Sequence, residues 1–369
     1  MAETPRDIAL SLWRAGVAAV DGHAATLAAL EGMAPPDMVL AIGKAAGAMA
    51  RAAFDRFGAV PALVVTKDGH GHGLPAHVQL IEAAHPVPDG RSLAAGRALR
   101  AAVAGMGPGS SLLVLVSGGA SALAEDPADG VALDDITALN RRLLASGLDI
   151  GAMNAQRRRL SRIKGGGLLA GFRGSRLGVL AISDVPGDDL GVIGSGIATL
   201  PDRPGLSAGA RIVASNAMAR AAVERAARAR GLVVLVNSEA LHDDLGALAA
   251  RWGPRLRDMQ AGVIVLGGEP GVVLPDNPGR GGRNQALALA LAQQIAGTGG
   301  LTIVVGGTDG SDGPTDAAGA IVDGTTWGPG AAAALAAADS GTWLDERGAL
   351  LVTGPTGTNV MDLVVALRA

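Results

Sequence analysis

The chain has 369 residues, 49% of them hydrophobic but only 2% aromatic, with 56 glycines, no Tyr and no Cys. That length and apolar content suffice for two domains with substantial cores, and zero Cys excludes disulfides, thiolate metal sites and cysteine nucleophiles. A net charge of −3 with no one-sign tail argues against a nucleic-acid partner.

From the start, residues 1–21 have a helical apolar period interrupted by Arg6, Asp7 and Arg14, which is not the pattern of a signal peptide. No apolar run approaches the roughly 18 residues of a membrane helix, so a soluble, cytoplasmic protein is expected. Apolar runs that end in Gly, Ser or Asp recur at 38–42, 62–65, 78–81, 111–116, 177–182, 211–214, 232–236, 263–266 and 302–305. Ala-, Leu- and Arg-rich stretches of helical spacing, such as 217–230, 241–259 and 284–295, lie between many of them. This alternation predicts an α/β protein with largely parallel sheets covered by helices on both faces. Nine or more strands exceed one comfortable sheet, so two α/β domains are expected, 1–237 and 238–369, with the helical segment 1–34 packing on either.

Several strand ends carry candidate chemistry. Gly43-Lys44-Ala45-Ala46 opens an Ala-rich helix, where a lysine opposes the helix dipole unless an anion is bound. It is no Walker A loop, because the first glycine and the hydroxyl after Lys44 are missing. Ser117-Gly118-Gly119, with Ser121, offers bare backbone N–H groups to an oxyanion; the G-x-S-x-G elbow of a serine nucleophile is absent. Asp184, in Ser183-Asp184-Val185-Pro186-Gly187-Asp188, stands where a strand ends, as a general base or metal ligand would. Gly267-Gly268-Glu269 ends another strand. Arg283, in Gly281-Gly282-Arg283-Asn284-Gln285, again puts a cation at a helix N-terminus, which suits an anion. After the run 301–305, a glycine-rich loop carries Asp309, Asp312 and Asp316, three carboxylates whose crowding is relieved most simply by a divalent cation. The ligand spacing is not that of an EF-hand. Gly165-x-Gly167-x-x-Ala170 mimics a dinucleotide fingerprint, but the basic segment before it is not a strand. His70, His72, His77 and His85 lie among glycines without a carboxylate partner and read as loop histidines.

These motifs, with Gly306-Gly307-Thr308-Asp309-Gly310, Asp312-Gly313-Pro314-Thr315-Asp316 and Gly354-Pro355-Thr356-Gly357-Thr358-Asn359, resemble in that order the class II glycerate 2-kinases, whose C-terminal module is named MOFRL. The resemblance spans nearly the whole chain. It implies two three-layer α/β/α domains, a Rossmann-like one and a MOFRL-like one, with the active site in the cleft between them. It also implies transfer of the ATP γ-phosphoryl group to the 2-hydroxyl of D-glycerate, with Mg²⁺, and it leaves room for a homodimer. Departures occur at Asp68, where an aromatic is usual, at Ile197, where Pro is usual, and at Gly167, where a basic residue is usual.

On this basis Lys44 and Arg283 are expected to hold the phosphoryl oxygens and the acceptor carboxylate, in an order the motifs do not assign. Asp184 is expected to orient or deprotonate the hydroxyl, and Asp309 with Asp312 to hold the metal. Ser117, Gly118, Gly119, Ser121, Lys164, Gly165 and Gly166, with Glu269, Asn284, Thr308 and Asn359, are expected to contact substrate or phosphate. Two other activities compete: an NAD(P)H-dependent hydroxypyruvate reductase, and a non-catalytic protein that binds a small phosphorylated acid.

Overall fold

The computed structural model describes residues 3–144 and 150–369. It divides into two compact units, one of residues 22–215 and 357–359, the other of residues 1–21, 216–356 and 360–369. No helix among the described residues is long and apolar enough to cross a membrane.

In the first unit six strands, β1 (Met38–Ile42), β2 (Ala62–Lys67), β3 (Gln79–Ala83), β4 (Ser111–Val116), β5 (Arg176–Ile182) and β6 (Ser207–Ala214), form one sheet in the order β3-β2-β1-β4-β5-β6. Every pairing in it is parallel. Strand β4 is buried along its whole length, which is why it reads as an unbroken apolar run rather than an alternating one. Leu40, Ile42, Val114 and Val116 share a core with Ala95, Leu99 and Val103 of the helix Gly90–Ala104. The helix Ala46–Phe57 lies against β1 and β2. The strand order reverses direction between β1 and β4, and open α/β sheets bind ligands beyond the carboxyl ends of the strands at that switch point.

The second unit holds β7 (Val234–Glu239), β8 (Gly262–Gly268), β9 (Leu301–Gly307), β10 (Gly319–Asp323), β11 (Leu350–Leu351) and β12 (Asp362–Arg368), in the order β11-β10-β9-β12-β8-β7. Here β7 and β8 are parallel, while β12 runs antiparallel between β8 and β9, and β10 runs antiparallel to β9. Alternate residues of the strands serve opposite faces. Ile264, Leu266, Ile303, Val305, Val364 and Ala366 face the helices Leu245–Arg257 and Arg283–Gln294. Val263, Val265, Val304, Leu363 and Val365 pack with Leu12 and Trp13 of the helix Pro5–Ala18 and Val223 of the helix Asn216–Ala229. That first helix starts at a capping box in which Thr4 and Asp7 bond each other's backbone, and the Trp13 indole N–H donates to the Leu363 carbonyl at 3.1 Å.

The α/β class and the two sheets agree with the sequence pattern, although in the second sheet only the β7–β8 pairing is parallel. The boundary differs: the second unit begins at Asn216 and not near residue 237, and it takes back residues 1–21. The cause is packing. Val223 and Ala227 bury their side chains in the second unit's core, so the helix that follows β6 cannot belong with the sheet before it.

Gly96 lies on the buried face of the helix Gly90–Ala104, where an added Cβ would overlap the Glu125 carbonyl, while a Cβ at Gly90 meets nothing. Gly96→Ala is therefore expected to cost about 1–3 kcal/mol through overpacking, and Gly90→Ala to be neutral or stabilising. Thermal melts of both variants check this; equal melting temperatures would contradict the packing.

Candidate functional site

The first polar cluster sits at the switch point. Gly43 takes a φ of 127°, a conformation open to glycine, and a Cβ there would strike Ser117. Two turns are laced together at this contact: the Lys44 N–H donates to the Gly118 carbonyl at 2.9 Å, and the Ala45 N–H to Ser117 Oγ at 3.0 Å. Gly118 is in turn wedged against the Asp184 carboxylate and the Asn359 carboxamide, both of which an added Cβ would overlap. Asn359 Nδ2 donates to Asp184 Oδ2 at 3.4 Å. Gly119, at φ 83°, lies beside the Lys44 stem and the His85 ring. Among the described residues the N–H groups of Gly118 and Gly119 meet no protein acceptor. Ser121 Oγ lies 2.9 Å from Ser195 Oγ, and Ser195 itself is held at φ 58°, a strained state for a residue with a side chain.

The glycine loop at 165–167 does something other than expected. Its N–H groups are already committed: Gly165 donates to the Ser195 carbonyl at 2.9 Å, Gly166 to that of Gly196 at 2.8 Å, and Gly167 to that of Lys164 at 3.1 Å. Gly165 and Gly166 thus pin the loop that carries Ser195 and offer no open cradle. Lys164 is likewise internal. Its Nζ contacts Glu125 Oε2 at 2.5 Å, with both side chains about 1% exposed; desolvation pulls the Lys164 pKa down against the opposing pull of Glu125. The segment before this loop is the helix Ile150–Arg159 and not a strand, so the resemblance to a dinucleotide fingerprint ends there.

The second cluster forms at the carboxyl ends of β8 and β9. Because β12 is antiparallel to both, its first residue lands at their last: Asp362 pairs with Gly268 on one side and Gly307 on the other. Arg283 Nε donates to Asp362 Oδ2 at 2.7 Å and Nη2 to Oδ1 at 3.3 Å, while Nη1 bonds Glu269. Burial raises the Asp362 pKa, and Arg283 opposes that rise. Desolvation works against the Arg283 charge, but Asp362 and Glu269 outweigh it and raise its pKa. Breaking such a pair by removing one partner costs about 3–5 kcal/mol when the other is left buried. Asp362 was not among the residues singled out by sequence, since nothing local marks it.

Thr308 also proves internal. Its N–H and Oγ1 both donate to the Met361 carbonyl, at 3.0 and 2.6 Å, and Oγ1 accepts from the Val360 N–H at 2.9 Å. It clamps Met361 at φ 66° just before Asp362, and so acts on the site through the backbone. Asn284 is buried beside Gly307 and Asp362.

Asp312, expected to hold magnesium with Asp309, is committed elsewhere. Asp312 accepts the N–H groups of Asn284 and Gln285 at 3.0 and 2.8 Å, capping the helix that Arg283 opens. Desolvation pushes its carboxyl up to about 7 despite those bonds. One oxygen of Asp309 accepts from Ser311 N–H and Oγ, each at 2.9 Å, and Asp316 is exposed. Among the described residues no group of three His, Asp or Glu side chains could hold a metal ion. The role expected for Asp312 as a metal ligand is therefore replaced by a helix cap, because both its oxygens already answer backbone N–H groups.

Residues 8–231 match the family described as "Domain of unknown function (DUF4147)", and residues 262–362 match the MOFRL family. The chain is 35% identical to the D-glycerate 2-kinase of Thermotoga maritima, over 89% of this chain and 90% of the relative. A protein of Agrobacterium vitis, provisionally named a hydroxypyruvate reductase, is 37% identical over 88% of this chain and 86% of its own. The crystal structure of a glycerate kinase from Thermotoga maritima superposes with a TM-score of 0.86 at 32% identity, covering 99% of each chain. The order of motifs, the two sheets and these matches agree: the chain belongs to the glycerate 2-kinase family built from a DUF4147 domain and a MOFRL domain.

Proposed function

We propose that the protein is a glycerate 2-kinase that transfers the γ-phosphoryl group of ATP to the 2-hydroxyl of D-glycerate, in the cytoplasm. The observation that carries this reading is the Gly118 contact. A carboxylate (Asp184) with its orienting amide (Asn359), two backbone N–H groups and the Lys44 stem meet around one glycine turn at the sheet's switch point. Phosphoryl transfer demands positioning and neutralisation of charge more than covalent chemistry by the protein, and a base, an oxyanion turn and a cation are the parts that supply it.

In the reaction the 2-hydroxyl oxygen bonds to the γ-phosphorus as the bond to the β–γ bridging oxygen breaks. The hydroxyl proton passes to Asp184, which Asn359 holds in orientation. Lys44 and the N–H groups of Gly118 and Gly119 neutralise the phosphoryl oxygens. Arg283, fixed by Asp362, is the anion-binding cation of the second cluster. Lys164, Gly165, Gly166 and Thr308 hold loops in place and contact no reactant. The residues around Asp309 and Asp312 do not fit a protein-built magnesium cage, and no step is assigned to that ion.

Coupled ADP formation with D-glycerate and ATP, with phosphorus NMR of the product, tests the reaction; 2-phospho-D-glycerate is expected. Oxidation of NAD(P)H with hydroxypyruvate, without ATP consumption, would point to the reductase instead. Lys44→Ala is expected to lower kcat by on the order of 10²–10³ with an unchanged circular dichroism spectrum. Asp184→Asn should lower kcat by about 10²-fold or more while D-glycerate still binds. Near-normal turnover in either folded variant would remove the assigned role. Gly118→Ala should be inactive yet folded, since its Cβ would displace both Asp184 and Asn359.

A further inference from the structure

The two carboxylates on Arg283 are not equivalent. The Asp362 side chain is 2% exposed, at the start of a central strand, and it takes the Nε edge and one Nη2 proton. The Glu269 side chain is 47% exposed, lies on the chain just beyond the end of β8, and takes Nη1 alone. Arg283 itself is one-third exposed. If Arg283 moved off Asp362, a buried carboxylate would be stranded. If Glu269 moved off Arg283, an exposed carboxylate would return to water, at little cost.

We infer that Glu269 occupies the place of the acceptor's carboxylate on Arg283 and is displaced when that acid binds, while Asp362 stays as the permanent anchor. This rests on the kinase reading and narrows it: Arg283 selects a carboxylic acid acceptor in preference to phosphate. The chemistry favours this ligand class because a carboxylate oxygen is what Nη1 already receives from Glu269, and Arg binds carboxylates well through charge-assisted hydrogen bonds. Charge points the same way. Arg283 with both carboxylates is a net −1 cluster; exchanging Glu269 for a monocarboxylate leaves that charge unchanged. Seating a polyphosphate there would instead crowd several negative charges against Asp362. Asp362 is a positioning residue in this scheme, because it acts only through Arg283.

The test uses the full chain and isothermal titration with D-glycerate alone and ATP alone. Glu269→Gln removes the competing charge, so D-glycerate should bind roughly three- to tenfold more tightly, with the ATP dissociation constant unchanged. The double variant Glu269→Gln with Arg283→Gln should show no gain over Arg283→Gln alone. Asp362→Asn should weaken D-glycerate by about tenfold or more and leave ATP binding unchanged. Tighter binding in a single variant cannot come from misfolding. Weaker or unchanged D-glycerate binding in Glu269→Gln, or a gain in ATP affinity instead, overturns the inference. If D-glycerate binding behaves as expected but the unmodified protein makes no phosphoglycerate, the kinase reading fails and the displacement stands.

Discussion

The pairing of Asp362 with Arg283 depends on one strand running against its neighbours. In an all-parallel sheet, the carboxyl ends of β8 and β9 would be followed on the same edge only by other carboxyl ends. Inserting β12 antiparallel brings an amino end there instead, and with it Asp362 between Gly268 and Gly307. The polar centre of the second unit follows from this: Thr308 clamps the residue before Asp362, Asn216 donates to the Val360 and Asp362 carbonyls at 2.9 and 3.0 Å, and Asp312 caps the helix that Arg283 opens. Three separate stretches of chain thus hold one arginine.

The first unit reaches a polar centre by a different route. Its sheet is wholly parallel, so its chemistry sits at the switch point, where the turns after β1 and β4 diverge. The interlock of Gly43 with Ser117 and of Gly118 with Asp184 and Asn359 depends on missing side chains rather than on added ones. A supporting layer lies behind it. The Glu125–Lys164 pair and the Gly165 and Gly166 hydrogen bonds fix the loop that presents Ser195 to Ser121. The buried ion pair need not add net stability; its effect is to hold a particular loop geometry.

Much of this was legible in the residues alone. Lys44, the Ser117–Gly119 turn and Asp184 each follow an apolar run, and Lys44 and Arg283 each put a cation at the start of a helix; local rules broken in this way mark candidate sites. What stayed hidden depends on tertiary placement. Asp362 opens an apolar run like any other, and its importance comes only from the strands between which it falls. Gly165 and Gly166 look like an anion loop because glycine reports backbone freedom and not what the backbone then bonds. Asp312 sits among acidic turn residues, and only its approach to Asn284 and Gln285 makes it a cap. The unit boundary was misplaced because alternation of strand and helix continues without interruption through residue 216, with no linker composition to mark the change.

The position of β12 also bears on how the chain comes to be folded. Its residues, 362–368, are made last among the strands, yet they lie inside the second sheet with a neighbour on each side. Until they appear, β8 and β9 have no strand between them, and Leu12 and Trp13 of the first helix have only part of the core they finally share with Leu363 and Val365. At ribosomal speeds the interval from the end of β9 to the end of β12 is on the order of ten seconds. During it, a parallel first unit made of consecutive strands can close while the second waits with an apolar helix and two unpaired strand edges. The long sequence separation that builds the arginine centre therefore also leaves the nascent chain dependent on protection from its own sticky edges.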